Sequence, residues 1–118
     1  LMQVGIGIKG ASAEAILKTM FFVEGRAKQM CPVDTGRLRA SIGNGTEGIF
    51  EYNPEIPQGI VGTNVNYAGY VEYGTRKQSP QPYMRPAAAE GQQFMEVQIK
   101  KELTNSIKKG TSIFKKFF

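Results

Sequence analysis

Several residue types that build enzyme and metal sites are absent or rare in this chain. Histidine does not occur, and cysteine and aspartate occur once each, as Cys31 and Asp34. The absence of histidine removes the commonest general base near neutral pH and the commonest metal ligand. A lone cysteine permits no internal disulfide and fits a reducing compartment. No apolar run approaches the roughly 20 residues of a membrane-spanning helix. We therefore expect no metal, no cofactor, no catalytic residues and no membrane partner.

Length and charge bound what the chain can be. Its 118 residues suffice for one core, and we expect a single domain over 1–110 with an aromatic and basic tail over 111–118. The net charge of +5 is concentrated at the end: residues 76–118 contain nine Lys or Arg against three Glu, whereas 37–75 contain two against four. A basic final third is compatible with nucleic acid, an acidic protein surface, anionic lipid or a solvated helix face.

Hydrophobic periodicity predicts an α+β fold in the first half of the chain. A period of two residues over 2–8 predicts a strand. Apolar residues spaced by three and four between Ser12, a favoured N-cap residue, and Pro32 predict a helix. Short β-branched or aromatic segments predict three more strands, which we expect to form an antiparallel meander over 37–43, 47–53 and 58–64.

The second half predicts one long helix after a loop. The segment 67–74 fits either a helical turn or an extended strand, and the prolines of 75–86 indicate a loop. A helix is predicted over 86–109 with Gly110 as its stop. Its apolar face comprises Met84, Ala88, Met95, Ile99, Leu103 and Ile107, and Phe94 and Val97 beside it indicate a second apolar contact. The expected fold is an antiparallel sheet of about four strands packed with two main helices, one N-terminal and one C-terminal.

The segment "PVDTGRLRASI", residues 32–42, contains the only aspartate. As an acid catalyst, Asp34 would need a partner such as Glu51, Glu55 or Glu72 brought near it by folding. As a structural residue, its side chain would cap backbone N–H groups two or three residues further on, and Gly36 would adopt a positive φ at no steric cost. We favour the structural interpretation, in which Asp34 pins the turn between a helix and the following strand.

The letters "GIGIKG", residues 5–10, match the glycine pattern of dinucleotide-binding folds. That pattern requires a parallel strand–helix–strand unit with an acidic residue about 20 positions further on. Here the preceding strand is short and the helix runs into Pro32. The acids near the required offset are Glu24, within the helix, and Asp34, beyond the proline. A strand and turn relaxed by glycine is the favoured interpretation.

Three blocks rich in turn-forming residues carry a resemblance to a known family: "PVDTGRLRASI", "YAGYVEYGT" and "QPYMRPA". They are similar to the patterns Pro-Val-Asp-Thr-Gly-x-Leu-x-x-Ser, Tyr-Ala-x-x-x-Glu-x-Gly-Thr and Gln-Pro-aromatic-x-x-Pro-Ala of the gene-product-ten-like tail-component family of tailed bacteriophages and prophages. The resemblance runs over about 14–108. The matching residues are Pro32, Asp34, Thr35, Gly36, Leu38, Ser41, Tyr67, Ala68, Glu72, Gly74, Thr75, Gln81, Pro82, Arg85, Pro86 and Ala87, with Tyr83 at the aromatic position.

The resemblance implies a structural virion protein without enzymatic activity, at the neck between head and tail or in tail completion. It implies a ring, commonly six-fold, around the DNA channel. The implied partners are further copies of the chain and other neck or tail proteins, with non-specific contact to DNA. The implied locations are the virion and, during assembly, the host bacterial cytoplasm. In isolation the chain could be a monomer. A small nucleic-acid-binding domain using the basic final third, and an enzyme built on Asp34 and a glutamate, are the alternatives.

Specific residues follow from these considerations. Glu72 is expected to stabilise the corner at Gly74 and Thr75, and the full set of structural turn residues is Pro32, Asp34, Thr35, Gly36, Glu72, Gly74 and Thr75. The 75–86 loop is longer and richer in proline than a simple connector needs to be, and we expect it to dock on a neighbouring subunit. The predicted subunit or partner contacts are Arg37, Arg39, Arg76, Lys77, Gln81, Pro82, Tyr83, Met84, Arg85 and Pro86.

Overall fold

The computed structural model describes residues 2–7, 11–32 and 36–117, with the backbone alone at 106 and 108–117. Strands and helices within these ranges are, in chain order, β1 Met2–Ile6, α1 Ala13–Met30, α2 Arg37–Ser41, β2 Gly48–Asn53, β3 Gln58–Thr63, α3 Ala68–Tyr73 and α4 Met84–Phe117. The fold is α+β, as the periodicity predicted. Asp34 and Thr35 lie outside the described residues.

A three-stranded antiparallel sheet forms one layer of the protein. β3 is the central strand and pairs antiparallel with both β1 and β2. The register aligns Val4, Val61 and Phe50 in one cross-strand row, whose side chains point to the same face of the sheet. That face packs against the core. A strand is present within each of the segments predicted over 2–8, 47–53 and 58–64. β1, the first strand in the sequence, pairs with β3 on the side opposite β2.

The prediction of a strand over 37–43 is wrong, and the sheet has three strands instead of about four. Residues Arg37–Ser41 form the short helix α2. Leu38 and Ile42 are buried while Ala40 between them is exposed, which is the four-residue spacing of a helical turn. Gly36 precedes the helix with φ of 71°, so the predicted positive φ at this glycine is confirmed. In so short a segment the apolar residues at 38 and 42 fit both the period of two of a strand and the four-residue spacing of a helix.

The second layer is a pair of antiparallel helices, α1 and α4. An ion pair joins Arg26 Nε to Glu90 Oε2 at 2.7 Å toward one end of the pair. Toward the other end, Ser12 Oγ donates to the Glu102 carboxylate at 2.7 Å and accepts from the backbone N–H of Ala15 at 3.0 Å. Ser12 is therefore the N-cap of α1, as predicted. These contacts fix the direction of α4 along α1.

Close packing between the helices depends on a small residue in α4. A side chain at Gly91 would collide with Cγ2 of Val23 on α1. Phe94, one turn further on, stacks on Phe22 of α1 with ring centroids 4.5 Å apart, and this is the second apolar contact expected for Phe94. The helix pair closes over the same core that the sheet covers.

Helix α4 is longer than predicted at both ends. It begins at Met84 and continues through Gly110 to Phe117, so the prediction that Gly110 ends it is wrong. Met84 and Met95 are buried as predicted, whereas Leu103 and Ile107 are exposed. The reason is length: 34 residues extend about 51 Å, whereas the 18 residues of α1 extend about 27 Å. No helix of the described residues is long and apolar enough to cross a membrane.

Candidate functional site

The carboxylate of Glu72 connects α3 to the start of α4. Glu72 is completely buried. Its Oε1 accepts hydrogen bonds from the backbone N–H groups of Met84 at 2.7 Å and Tyr83 at 3.2 Å, and its Oε2 accepts from the N–H of Arg85 at 3.3 Å. The first N–H groups of a helix have no partner within the helix, and a negative charge there also interacts favourably with the helix dipole. Glu72 therefore acts as a remote N-terminal cap for α4.

Arg85 balances the buried charge of Glu72. Its Nε donates to Glu72 Oε2 at 3.0 Å, and its guanidinium lies 4.5 Å from the ring centroid of Tyr73. Such cation–π contact and charge-assisted hydrogen bonding hold a planar guanidinium in one orientation. Arg85 was predicted to contact a partner, and about half of its side chain is exposed. The Arg85 side chain thus remains accessible at the surface while its Nε is hydrogen-bonded to Glu72.

The loop between α3 and α4 is held by local hydrogen bonds. Gly74 ends α3 with φ of 79° and ψ of 175°, a conformation that only glycine adopts readily. The Oγ1 of Thr75 accepts from the N–H groups of Lys77 at 3.2 Å and Gln78 at 3.1 Å. Further along, the N–H of Gln81 donates to the carbonyl of Val71 at 2.9 Å. The predicted corner at Gly74 and Thr75 exists, and these two residues and Gln81 fix its shape.

Two of the residues predicted as partner anchors lie inside the protein. Tyr83 and Met84 are fully buried, and the hydroxyl of Tyr83 donates to the carbonyl of Ala68 at 3.1 Å. Burial raises the pKa of the Tyr83 phenol. In this structure both side chains stabilise the contact between α3 and α4, and no surface for a neighbour includes them. An aromatic residue in a proline-rich loop is compatible with a core residue as well as with an interface residue.

The outward surface of α3 and its loop is aromatic and basic. Tyr70 is 64% exposed and Tyr73 56% exposed, and their spacing of three places them together on the helix surface. Arg76 and Lys77 follow on the exposed loop. We call Tyr70, Tyr73, Arg76 and Lys77 the aromatic corner. Of the other predicted contacts, Gln81 and Pro82 are exposed and Pro86 is partly buried.

Two arginines of α2, which follows the second predicted turn, contact other parts of their own chain. Arg39 Nε donates to the carbonyl of Lys28 near the end of α1 at 2.7 Å, a favourable position for a cation. Arg37 Nη2 pairs with Glu47 Oε2 at 2.7 Å on the surface. Both were predicted to contact a partner, and the structure places each against its own chain. Pro32 follows the end of α1 at Met30, as predicted.

A buried acid that the sequence reasoning did not single out holds the turn after α2. Glu24 of α1 is largely buried, and its carboxylate accepts from the backbone N–H and the side-chain amide of Asn44 at 2.8 and 3.1 Å. The turn includes Gly43 with φ of 75°. A signal was available, because Glu24 lies four residues after Met20 and three before Ala27, on the apolar stripe of α1.

Cys31 and the glycine pattern over 5–10 are the other sequence features that could take part in chemistry. Burial raises the pKa of the Cys31 thiol to about 11, so the thiol is protonated, and a poor nucleophile, at neutral pH. Gly5, the first glycine of the pattern over 5–10, lies in β1, which pairs antiparallel with β3 and does not open a parallel strand–helix–strand unit. Residues 8–10 of the pattern lie outside the described residues. Over the described ranges, no cluster of three or more His, Cys, Asp or Glu is placed to hold a metal ion.

Comparison with known families agrees with the turn-rich blocks. Residues 4–74 match the family described as "Bacteriophage HK97-gp10, putative tail-component". The match covers more than half of the chain. The chain belongs to this family. It is therefore a structural protein of the phage virion tail, in a family that is not typically enzymatic. The first two blocks lie in the matched region apart from Thr75, and the third lies beyond it. No curated protein and no solved structure matches.

Proposed function

We propose that the chain joins heads to tails or completes the tail of its phage, as a subunit of a ring at the neck. The observation that supports this role most directly is the aromatic corner. Two exposed tyrosines and two basic residues stand on a segment whose shape is fixed by Gly74, Thr75 and the buried Glu72. Tyrosine and arginine are enriched at the centres of protein interfaces, and a rigid surface loses little conformational entropy on binding.

The proposed ring uses the described surface in a defined way. The exposed residues Arg76, Lys77, Gln81, Pro82 and Arg85 meet a neighbouring copy or an adjoining neck or tail protein. The turn residues Glu72, Gly74 and Thr75 keep that surface in shape. In the virion the ring is hexameric and surrounds the channel through which DNA passes, with only non-specific contact to DNA. Assembly takes place in the host cytoplasm.

A binding domain for nucleic acid is the second candidate, because Arg76, Lys77, Lys100 and Lys101 are exposed basic residues. The structure favours this role less. The start of α4 and Lys100 are separated by 16 residues of helix, or about 24 Å, so the two basic pairs occupy different parts of the protein. Duplex binding that weakens steeply with salt would support the DNA role. Absence of binding would exclude the DNA role, and the structural role would be the remaining candidate.

Deleting the gene from the phage that encodes it tests the proposed role. We expect negative-stain images of lysates to show complete heads and tails that are not joined, and supplying the wild-type chain in trans to restore infectious particles. A chain with Tyr70→Ala and Tyr73→Ala is expected to fail in this rescue, whereas Leu103→Ala, an equally exposed apolar residue on α4, is expected to succeed. Intact infectious particles in the deletion strain would contradict the proposal.

A further inference from the structure

The end of β2 and the turn that follows it carry two exposed glutamates, Glu51 and Glu55, that form no ion pair with any cation whose side chain the structure describes. By contrast, Glu14, Glu24, Glu47, Glu72 and Glu90 each pair with a lysine or arginine. Beside Glu55, Ile56 is 65% exposed. We call Glu51, Glu55 and Ile56 the acidic tip.

The aromatic corner has the opposite composition. Arg76 and Lys77 form no ion pair with any described acid, and Tyr70 and Tyr73 provide apolar area next to them. One surface thus combines two carboxylates with an aliphatic side chain, and the other combines two cations with two aromatic rings. Opposite potentials and paired apolar surfaces are what a specific interface combines.

The two surfaces lie toward opposite ends of strand β3. β3 begins at Gln58, paired with Asn53 beside the acidic tip, and ends at Thr63, after which the chain leads into α3. Six residues of strand separate the two by about 17 Å or more. A copy cannot therefore satisfy its own acidic tip with its own aromatic corner. A contact between unlike ends of identical chains is heterologous, and it closes into a ring when the rotation between subunits permits.

We propose that the acidic tip of one subunit docks on the aromatic corner of the next copy of the same chain, and that this contact builds the ring. The inference rests on the proposed function and names the two surfaces that form it. A symmetric contact of corner with corner is disfavoured, because it would bring Arg76 and Lys77 against themselves. The occupant of the aromatic corner is therefore the hairpin of a neighbouring copy.

Disulfide trapping in assembled particles tests the contact directly. The native Cys31 is buried, so engineered surface cysteines react selectively. We expect phage particles carrying Glu55→Cys together with Lys77→Cys to give a ladder of cross-linked chains on oxidation, and either single substitution to give none. A control pair, Glu55→Cys with Lys101→Cys, is expected to give no ladder. Dimers from a single substitution would reveal a symmetric contact and overturn the proposal.

Charge exchange provides an independent test with purified protein. In the first variant, Glu51→Lys and Glu55→Lys make the tip basic; in the second, Arg76→Glu and Lys77→Glu make the corner acidic. Each variant alone is expected to sediment as a monomer. An equal mixture is expected to form the oligomer seen with the wild type, because each reversed surface then meets its complement in the other chain. Lys100→Glu with Lys101→Glu, an equal charge change elsewhere, is expected to leave assembly unchanged.

The outcomes separate this inference from the proposed function. If the deletion strain has unjoined heads and tails but the double-cysteine particles show no ladder, the function stands and the tip-to-corner contact is refuted. If the deletion strain yields intact particles, the function is refuted, and the charge-exchange experiment still decides whether copies associate in this way. Failure of the mixed variants to assemble, when the wild type does assemble, would refute the contact alone.

Discussion

The buried carboxylate of Glu72 is the residue on which the candidate site depends. It accepts three backbone hydrogen bonds at the start of α4 and binds Arg85 at the same time. A buried charge that keeps only part of this set would be costly, because the remaining groups would be left without partners. The aromatic corner and the start of α4 are therefore expected to lose order together.

The first prediction concerns Glu72→Gln. The amide matches the carboxylate in shape, but its NH2 group would face backbone N–H donors and the charge opposite Arg85 would be lost. We expect the free energy of unfolding to fall by about 1–3 kcal/mol, measured by urea denaturation. Glu96→Gln on the exposed face of α4 is the matched control and should change stability by no more than about 0.5 kcal/mol. Equal stability of the Glu72 variant and the wild type would contradict the capping role.

The second prediction concerns pH and Cys31. The pKa of this thiol is about 11 in the folded protein and about 8.5 in an unfolded chain. Between these values the folded state binds more protons than the unfolded state, so stability decreases as pH rises through this window, by about 3 kcal/mol at most. Unfolding measured from pH 8 to 11 should show a shallower decline in Cys31→Ala, because the titrating thiol is removed and its charge no longer raises the pKa of Tyr83. Identical slopes would show that the thiol is not desolvated.

At the scale of elements, the antiparallel pair of α1 and α4 sets the shape of the core. Its close approach depends on Gly91, where a side chain would meet Val23. Gly25 of α1 provides the contrast, because a side chain there would meet nothing within 4 Å. The same chemical change thus has opposite expected effects in two helices.

The third prediction compares these glycines. Gly25→Ala should stabilise the protein by about 0.5–1 kcal/mol, since alanine restricts the unfolded chain and favours helix. Gly91→Ala should instead destabilise it by about 1–3 kcal/mol, because the added methyl group overpacks the helix interface. Thermal and urea unfolding of both variants would measure the difference. If the clash is the cause, Gly91→Ala should cost less in a Val23→Ala background than in the wild type, whereas an equal cost in both would place the cause elsewhere.

Elements with a long or clear period could be predicted from the sequence, and elements with few residues could not. α1 was anticipated because its apolar residues repeat over enough positions to indicate a helix, and β2 and β3 were anticipated from their β-branched and aromatic residues between turn-forming residues. α2 has five residues, and over that length Leu38 and Ile42 satisfy both periods. The capping of α4 by Glu72 could not be predicted either, because the N–H groups that it accepts from follow eleven to thirteen residues later in the sequence. They come close to Glu72 only in the folded chain. The turn at Gly74 and Thr75 was predictable because it is local.

At the scale of the whole molecule, the charges that are paired within the chain and those that are exposed have different consequences. The buried pair of Glu72 and Arg85 stabilises the folded chain, whereas the charges of the acidic tip and the aromatic corner act in the proposed association between chains. Exposed charges are screened by salt far more than buried ones. Folding and assembly should therefore respond differently to ionic strength.

The fourth prediction uses this difference. Raising salt to about 1 M, where the Debye length is about 3 Å, should weaken self-association in sedimentation experiments while the unfolding midpoint changes little. The experiment is done without nucleic acid, so that loss of a bound polyanion does not imitate dissociation. Association that strengthens with salt would indicate an interface dominated by apolar contacts instead.

The shared carboxylate at the start of α4 also has a mechanical consequence. α4, the longest of the described helices, is capped by the same carboxylate that fixes the proposed contact surface. A force applied to that surface would therefore be transmitted directly to α4. A small tilt at its origin would become a displacement of several ångströms at its far end. In the ring proposed above, a stiff helix attached to the contact surface would transmit strain from one subunit to its surroundings, because no flexible loop lies between them to absorb it.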